Sequence, residues 1–394
     1  MNRKVTLLYI SLACVLSLQA QTRQQMGGVY YAYPEGPSAK TGTFGTATYV
    51  MSDSLNVPQG YAPFYISHYG RHGSRWMPKD DRYVWICKHF EDESNLTPLG
   101  LQVKGMLQRV WENARGNGGR LSKLGALQHQ GIAHRMFERY PQIFAAGNAV
   151  KARSSVVDRC AKSMQAFTSE LHTLQPGLNL DVKTDSADMA WIAYVSPEVK
   201  ALENRTHVQA QVSPRRFLLQ LFKDVSKVDE PLKLMTEMHT VASSIQDVGL
   251  NFSSYPQDIE DGLNALFTDD EFRAIYEANN LRMAINNGTV ATNEDIPARS
   301  AISLWQNIEA EADRALRSVK SSATLRFGHD TALYRLLSLL FDVNVPPAGA
   351  REEAGLVVLG DEMEKMDRVV PMAANLQMIF YKNAKDSVLV KFML

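Results

Sequence analysis

The chain has 394 residues, 45% of them hydrophobic and 21% charged, with 42 basic against 42 acidic side chains. That composition excludes a disordered or fibrous chain, and without a basic excess nucleic acid is not an expected partner. At roughly 150 residues per domain the length allows two or three compact units. After the N-terminus no apolar run reaches the 18 or so residues of a membrane span.

Residues 1–20 (MNRKVTLLYISLACVLSLQA) read as an export signal. Arg3 and Lys4 give a positive start, Val5 to Leu18 an apolar core, and Leu18-Gln19-Ala20 a small-residue cleavage site. The expected destination is the periplasm. A lipoprotein signal acylated at Cys14 is the alternative, and Ser11 and the apolar residues after Cys14 count against it. Cys87 and Cys160 remain as two expected free thiols, Cys160 within a buried helix. The sequence has no CxxC, no Cys/His ligand cluster, no GxxxxGK[ST] and no strand-borne GxGxxG. Neither a metal nor a cofactor is therefore expected.

Residues 21–60, rich in Gly, Tyr, Pro and Ser/Thr, read as an extended lead-in that wraps the surface. Ala62 to His68 is a β-prone run that stops at Gly70 and feeds a loop. Leu121, Gly125, Ile132, Ala133, Met136, Phe137 and Tyr140 share one helical face, closed by Pro141. A strand over 149–153 and a helix from Val156 to about Leu171 follow. This alternation predicts an α/β fold, a mostly parallel sheet flanked by helices. Residues 196–320 turn helical in pattern and are expected to form an inserted α-helical lobe between two parts of the core, 61–195 and 321–394. Within it Ser213-Pro214 predicts a helix start, Thr268 to Glu271 a capping box, and Leu234, Met238, Val241 and Ile245 a helical stripe. Residues 322–328 return to strand, a helix follows Asp330, and 376–381 and 387–392 predict two more strands, antiparallel. The last strand runs to Leu394, so a short C-terminal segment is expected to be missing.

The strongest chemical signal is His68-Tyr69-Gly70-Arg71-His72-Gly73-Ser74-Arg75, at the C-terminal end of the first strand. Open α/β sheets place ligands there. An imidazole between two guanidiniums suits phosphoryl transfer. The arginines neutralise and orient phosphate oxygens through forked hydrogen bonds, and His72 among them can attack phosphorus. Gly73 lets the backbone turn close to a ligand.

These residues resemble the signature of the histidine acid phosphatases, the larger-capped branch of the histidine phosphatase superfamily, whose RHGxR motif Arg71, His72, Gly73 and Arg75 match. Leu121 to Gln128 looks like the family's LTxxGxxQ helix start, Arg153 to Arg159 like the segment with its third phosphate arginine, and Gly328-His329-Asp330-Thr331 like its His-Asp motif. Pro371 to Asn375 and the final strand also fit, so the similarity runs from about residue 60 to the end. The resemblance implies a phosphoglycerate mutase-like core. It makes His72 the nucleophile and Asp330 the acid, with Arg71, Arg75, Arg153 and His329 on the phosphate. It also implies metal-independent hydrolysis of a small phosphate ester, with phytate or another inositol polyphosphate among the candidates.

The sequence departs from that pattern in places. Many members read RHGxRxP, whereas Arg75-Trp76-Met77-Pro78 has one extra residue, which bears on Lys79 as a substrate contact. Multiple inositol polyphosphate phosphatases usually carry His-Ala-Glu where this chain has His329-Asp330. The cysteine pairs of many secreted members are absent. His68 and Tyr69 are expected to line the site, with a packed strand-end histidine as the alternative. Arg159 is read as a structural ion-pair residue, His129 and His134 as surface or helix-packing groups, and Arg215-Arg216 as a solvated face. A generic acid or sugar phosphatase, a phosphomutase and an inactive phosphate-ester binder are the competing functions.

Overall fold

In a computed structural model of the chain the described residues are 22–32, 57, 59–250, 262–288, 290, 293–341 and 366–394. The export signal, Cys14 and most of the lead-in lie outside them.

The first strand, β1 (Ala62–Arg71), is longer than its β-prone run predicts. It pairs on both sides, parallel with β4 (Ser322–Gly328) and antiparallel with β5 (Asn375–Lys382), so its C-terminal half is fully buried and even Arg71 continues the ladder. With β2 (Ala149–Ser154), β3 (Asn179–Thr184) and β6 (Val388–Met393) these form one six-stranded sheet, in the order β3-β2-β4-β1-β5-β6. The first four strands are mutually parallel, and β5 and β6 add two antiparallel pairings. The sheet is mostly parallel as expected, three of its five pairings being parallel, with an antiparallel edge at β5 and β6. β3 was not legible in the sequence: its segment NLDVKT is a mostly exposed edge whose only apolar residues are Leu180 and Val182.

Helices α1 (Asp81–Lys88), α2 (Pro98–Ala114) and α3 (Lys123–Arg139) connect β1 to β2, and α4 (Asp158–Leu174) connects β2 to β3. Between β3 and β4 the chain is helical: α5 (Met189–Ile192), α6 (Pro197–Arg205), α7 (Arg215–Leu219), α8 (Pro231–Ser244), α9 (Asp269–Asn287), α10 (Ile296–Ser300) and α11 (Ile302–Arg317). Helix α12 (Asp330–Leu340) follows β4 directly. The capping box at Thr268 and Glu271 forms as its spacing predicts. At 213–214 Pro214 itself is the N-cap of α7, and Ser213 Oγ accepts from Arg215 N (3.4 Å).

Three apolar clusters hold the layers. On one face of the sheet Ile66, Val150, Ala152, Leu325 and Phe327 pack against Ala133, Met136, Phe167 and Leu171 of α3 and α4. On the other, Tyr65 and Tyr69 meet Leu304 and Ile308 of α11 and Leu333, Leu336 and Leu337 of α12. The third cluster is helical, joining Ile86 of α1 and Val103 and Leu107 of α2 to Phe217, Leu234, Met238 and Phe272. The helical body therefore draws on residues before β2 as well as after β3, while α11, inside the 196–320 block, packs on the sheet. Burying such side chains contributes about 1.5–3 kcal/mol each, which makes these layers a rigid base for the polar ends of β1, β2 and β4.

Candidate active site

The loop after β1 is fixed from three directions. The N–H of His72 donates to Gly328 O at the end of β4 (3.0 Å), and the carbonyl of His72 accepts from Ala373 N (3.1 Å). The N–H of Gly73 donates to Ser163 Oγ of α4 (3.1 Å). Gly73 also lies flat against Gly125 in the first turn of α3. A Cβ on Gly73 would fall 2.3 Å from Gly125 O, and one on Gly125 would fall 2.2 Å from Ser74 O. Neither position has room for a side chain. Ser122 caps α3 and donates its N–H to Ser74 O (2.8 Å), and Gln128 Oε1 accepts from Ser74 N (2.9 Å). The 121–128 segment thus serves as a clamp on the nucleophile loop.

His72 is buried, and its Nδ1 lies 2.9 Å from Gly73 O. A carbonyl only accepts, so Nδ1 carries the hydrogen and Nε2 presents its lone pair. Burial, reinforced by Arg71, Arg75 and Arg159, holds the His72 pKa well below its ordinary value. The ring is therefore neutral and nucleophilic even in mild acid. The His329 ring stands edge-on to it, with centroids 5.9 Å apart. Burial and then Arg159 push His329 down to about 4. Asp330, the first residue of α12, forms an ion pair with Arg71 (3.1 Å) and accepts from Thr331 N (2.9 Å). Burial alone would raise its pKa, but Arg71, Arg75 and His329 outweigh burial and hold it below the usual range. Arg71 is anchored from behind by the carbonyl of Val29 (2.7 Å), and Arg75 lies over the Tyr30 ring (5.5 Å).

The structure brings Arg71, His72, Arg75, His329 and Asp330 together, and it corrects three expectations. Arg153 does not enter the site. Val150, Ala152 and Ser154 are the buried alternate residues of β2, so Arg153 projects to the other face, where it bonds Asp181 (2.5 Å) and approaches Asp188 (3.9 Å). Arg159, read as a structural ion-pair residue, is instead the arginine of this segment whose charge acts on the site. It stands in the first turn of α4, its charge acts on both His72 and His329, and its Nε is buried with no hydrogen-bond partner among the described residues. His68 lies under the site rather than lining it, packed between Phe167 and Phe327 next to His129. Lys79 is exposed on the turn before α1 and makes no hydrogen bond or ion pair with a described residue.

Three groups escaped the sequence reading. Val29 and Tyr30 come from a 3-10 turn of the lead-in (Gln25–Tyr30). Asp247 is fully buried facing Ser74, Arg75 and Arg71, and burial pushes its carboxyl up to about 8. Ser155, just past β2, touches His329 (3.1 Å). Only Ser155 carried a signal, its place at a strand's C-terminal end.

No family model matches the chain. Multiple inositol polyphosphate phosphatase 1 of Gallus gallus is 24% identical over 292 residues, which cover 70% of this chain and 63% of that protein. The chain is similar in sequence to that phosphatase. It thus spans somewhat under two thirds of the curated relative's length. Among solved structures, the Bifidobacterium longum multiple inositol polyphosphate phosphatase in complex with inositol hexasulfate superposes with a TM-score of 0.66. That match has 16% identity and covers 93% of this chain and 91% of the other. The phytase from D. castellii gives a TM-score of 0.62 at 12% identity, covering 94% of this chain and 78% of the other. The fold is theirs.

Proposed function

We propose that the protein is a histidine-type phosphomonoesterase that works without a metal ion and acts on inositol polyphosphates. The observation that carries this reading is the locked tautomer of His72, whose Nε2 lone pair faces a cradle of Arg71, Arg75 and Arg159 with Asp330 beside it. His72 Nε2 attacks phosphorus, the bond to the ester oxygen breaks, and Asp330 gives that oxygen its proton. Asp330 then takes a proton from water as the water oxygen attacks the phosphohistidine, which releases phosphate and restores His72. The arginines neutralise the equatorial oxygens throughout, and His329 hydrogen-bonds to one of them.

Asp330 must hold a proton for the first step, yet in the free site Arg71 favours its carboxylate. A bound phosphate dianion competes for Arg71 and raises the proton affinity of Asp330. The reaction should therefore favour mildly acidic pH. The substrate class is supported by the inositol polyphosphate phosphatase relative and by the inositol hexasulfate bound to its structural neighbour. Export through residues 1–20 into the periplasm is part of the proposal, on the sequence pattern alone.

The test is phosphate release from phytate and para-nitrophenyl phosphate at mildly acidic pH with EDTA present. We expect turnover that survives EDTA, with phytate preferred. Release from the aryl ester alone would reduce the reading to a broad acid phosphatase, and release from neither would favour a binding protein. N-terminal sequencing of the exported chain would show Gln21 first if the signal is cut as proposed.

A further inference from the structure

The arginines of the cradle stay charged and donate at every working pH. His329 differs from them. Its depressed pKa of about 4 leaves the ring neutral above that pH, so one nitrogen donates while the other accepts. A phosphate ester dianion offers only acceptors. His329 can hold one only if the nitrogen turned to it carries the hydrogen.

Ser155 is placed to decide which nitrogen that is. Its N–H donates to Phe327 O (2.9 Å), which fixes its backbone at the end of β2. Its Oγ accepts from Val157 N (3.3 Å) and lies 3.1 Å from His329 Nε2. The hydroxyl that receives the Val157 hydrogen keeps its own hydrogen to give, and Nε2 is an acceptor within its reach when the ring carries its hydrogen on Nδ1. In that pairing the hydrogen of a neutral ring sits on Nδ1. The Cys160 sulfur lies 3.9 Å from Nδ1 and 3.8 Å from Nε2, and its thiol is directed to Gly328 O (3.2 Å), so Nε2 alone of the two has an oxygen partner and Nδ1 is left for a ligand.

We propose that Ser155 is a positioning residue that holds His329 as its Nδ1–H tautomer, so that a neutral imidazole donates to the substrate phosphate. Both rings of the site are then in the same tautomer by opposite devices. Gly73 O takes the Nδ1 hydrogen of His72 and frees a lone pair for phosphorus, while Ser155 fills Nε2 of His329 and frees a hydrogen for oxygen. This inference rests on the phosphate-binding reading above.

The experiment is ¹⁵N NMR of the full chain with labelled histidines near pH 6.5, with His329 assigned through His329→Asn, together with titration of inorganic phosphate. We expect a pyrrole-type Nδ1 and a pyridine-type Nε2 at His329. Ser155→Ala should mix the two tautomers and weaken phosphate binding about tenfold, with KM for para-nitrophenyl phosphate rising more than kcat falls. Ser155→Thr, which keeps the hydroxyl, should restore both. A wild-type hydrogen on Nε2, or a Ser155→Ala ring that keeps its tautomer, would overturn the proposal. The tautomer and phosphate-binding readouts need no turnover, so a phosphate-binding but inactive wild type with Nδ1–H at His329 would remove the hydrolase reading and leave this one standing.

Discussion

His72 and His329 stand at the C-terminal ends of β1 and β4, and His68 and His129 lie in the layer below them. All four rings are buried or nearly so, and all four have depressed pKa values, yet the causes differ. For His68 and His129 burial dominates, and no side chain hydrogen-bonds to either ring among the described residues. For His72 and His329 three guanidiniums add to burial, and each ring has one nitrogen engaged and the other open. Burial alone makes a histidine inert. Charge around it and a fixed tautomer make it useful.

The comparison breaks if the lower pair carries the reaction. His72→Ala should reduce kcat on the order of 10⁴-fold or more, whereas His129→Leu should leave kcat within about twofold. The acid separates next. Asp330→Asn should cost about 10²–10⁴-fold with phytate, whose alkoxide leaving groups need a proton. It should cost far less with para-nitrophenyl phosphate, whose leaving group does not. Steady-state rates on the two substrates check this directly.

The two arginines six residues apart sharpen the picture. Arg159→Ala should lower kcat/KM by about a hundredfold. Arg153→Ala should change it less than about twofold and cost at most about 1 kcal/mol of stability, because it loses a partly exposed pair with Asp181. Equal effects would mean that the face of β2 has been misjudged.

That pair also marks how far the sequence could be read. Both catalytic strand ends, the clamp at 121–128 and the order of elements around them were legible, because short motifs and helical periodicity are local properties. Arg153 was misplaced because resemblance supplied a segment and not a facing. The period-2 burial of Val150, Ala152 and Ser154 would have turned it outward. Asp247 and Tyr30 were invisible for another reason. They arrive at the site from residues far along the chain, through packing that no window of sequence displays. The 81–114 helices carried no signal that was read, and their partners lie beyond residue 210.

A smaller effect concerns stability. His68, His129 and His239 are each pushed down from 6.5 to about 3. The unfolded chain therefore binds more protons between those values, and stability present above pH 6.5 is lost as pH falls toward 3, by up to about 1.4 kcal/mol per pH unit for each ring. His129→Leu should move the acid-unfolding midpoint to lower pH while sparing activity. An unchanged midpoint would mean that the ring is not buried neutral.

The most direct measurement is chemical trapping of the intermediate. Acid-labile phosphate would be quantified on denaturant-quenched protein after mixing with ³²P-labelled phytate, and located by peptide mapping under alkaline conditions. The account predicts label on His72 alone, absent in His72→Ala. Turnover without any labelled histidine, or label on another residue, would contradict it.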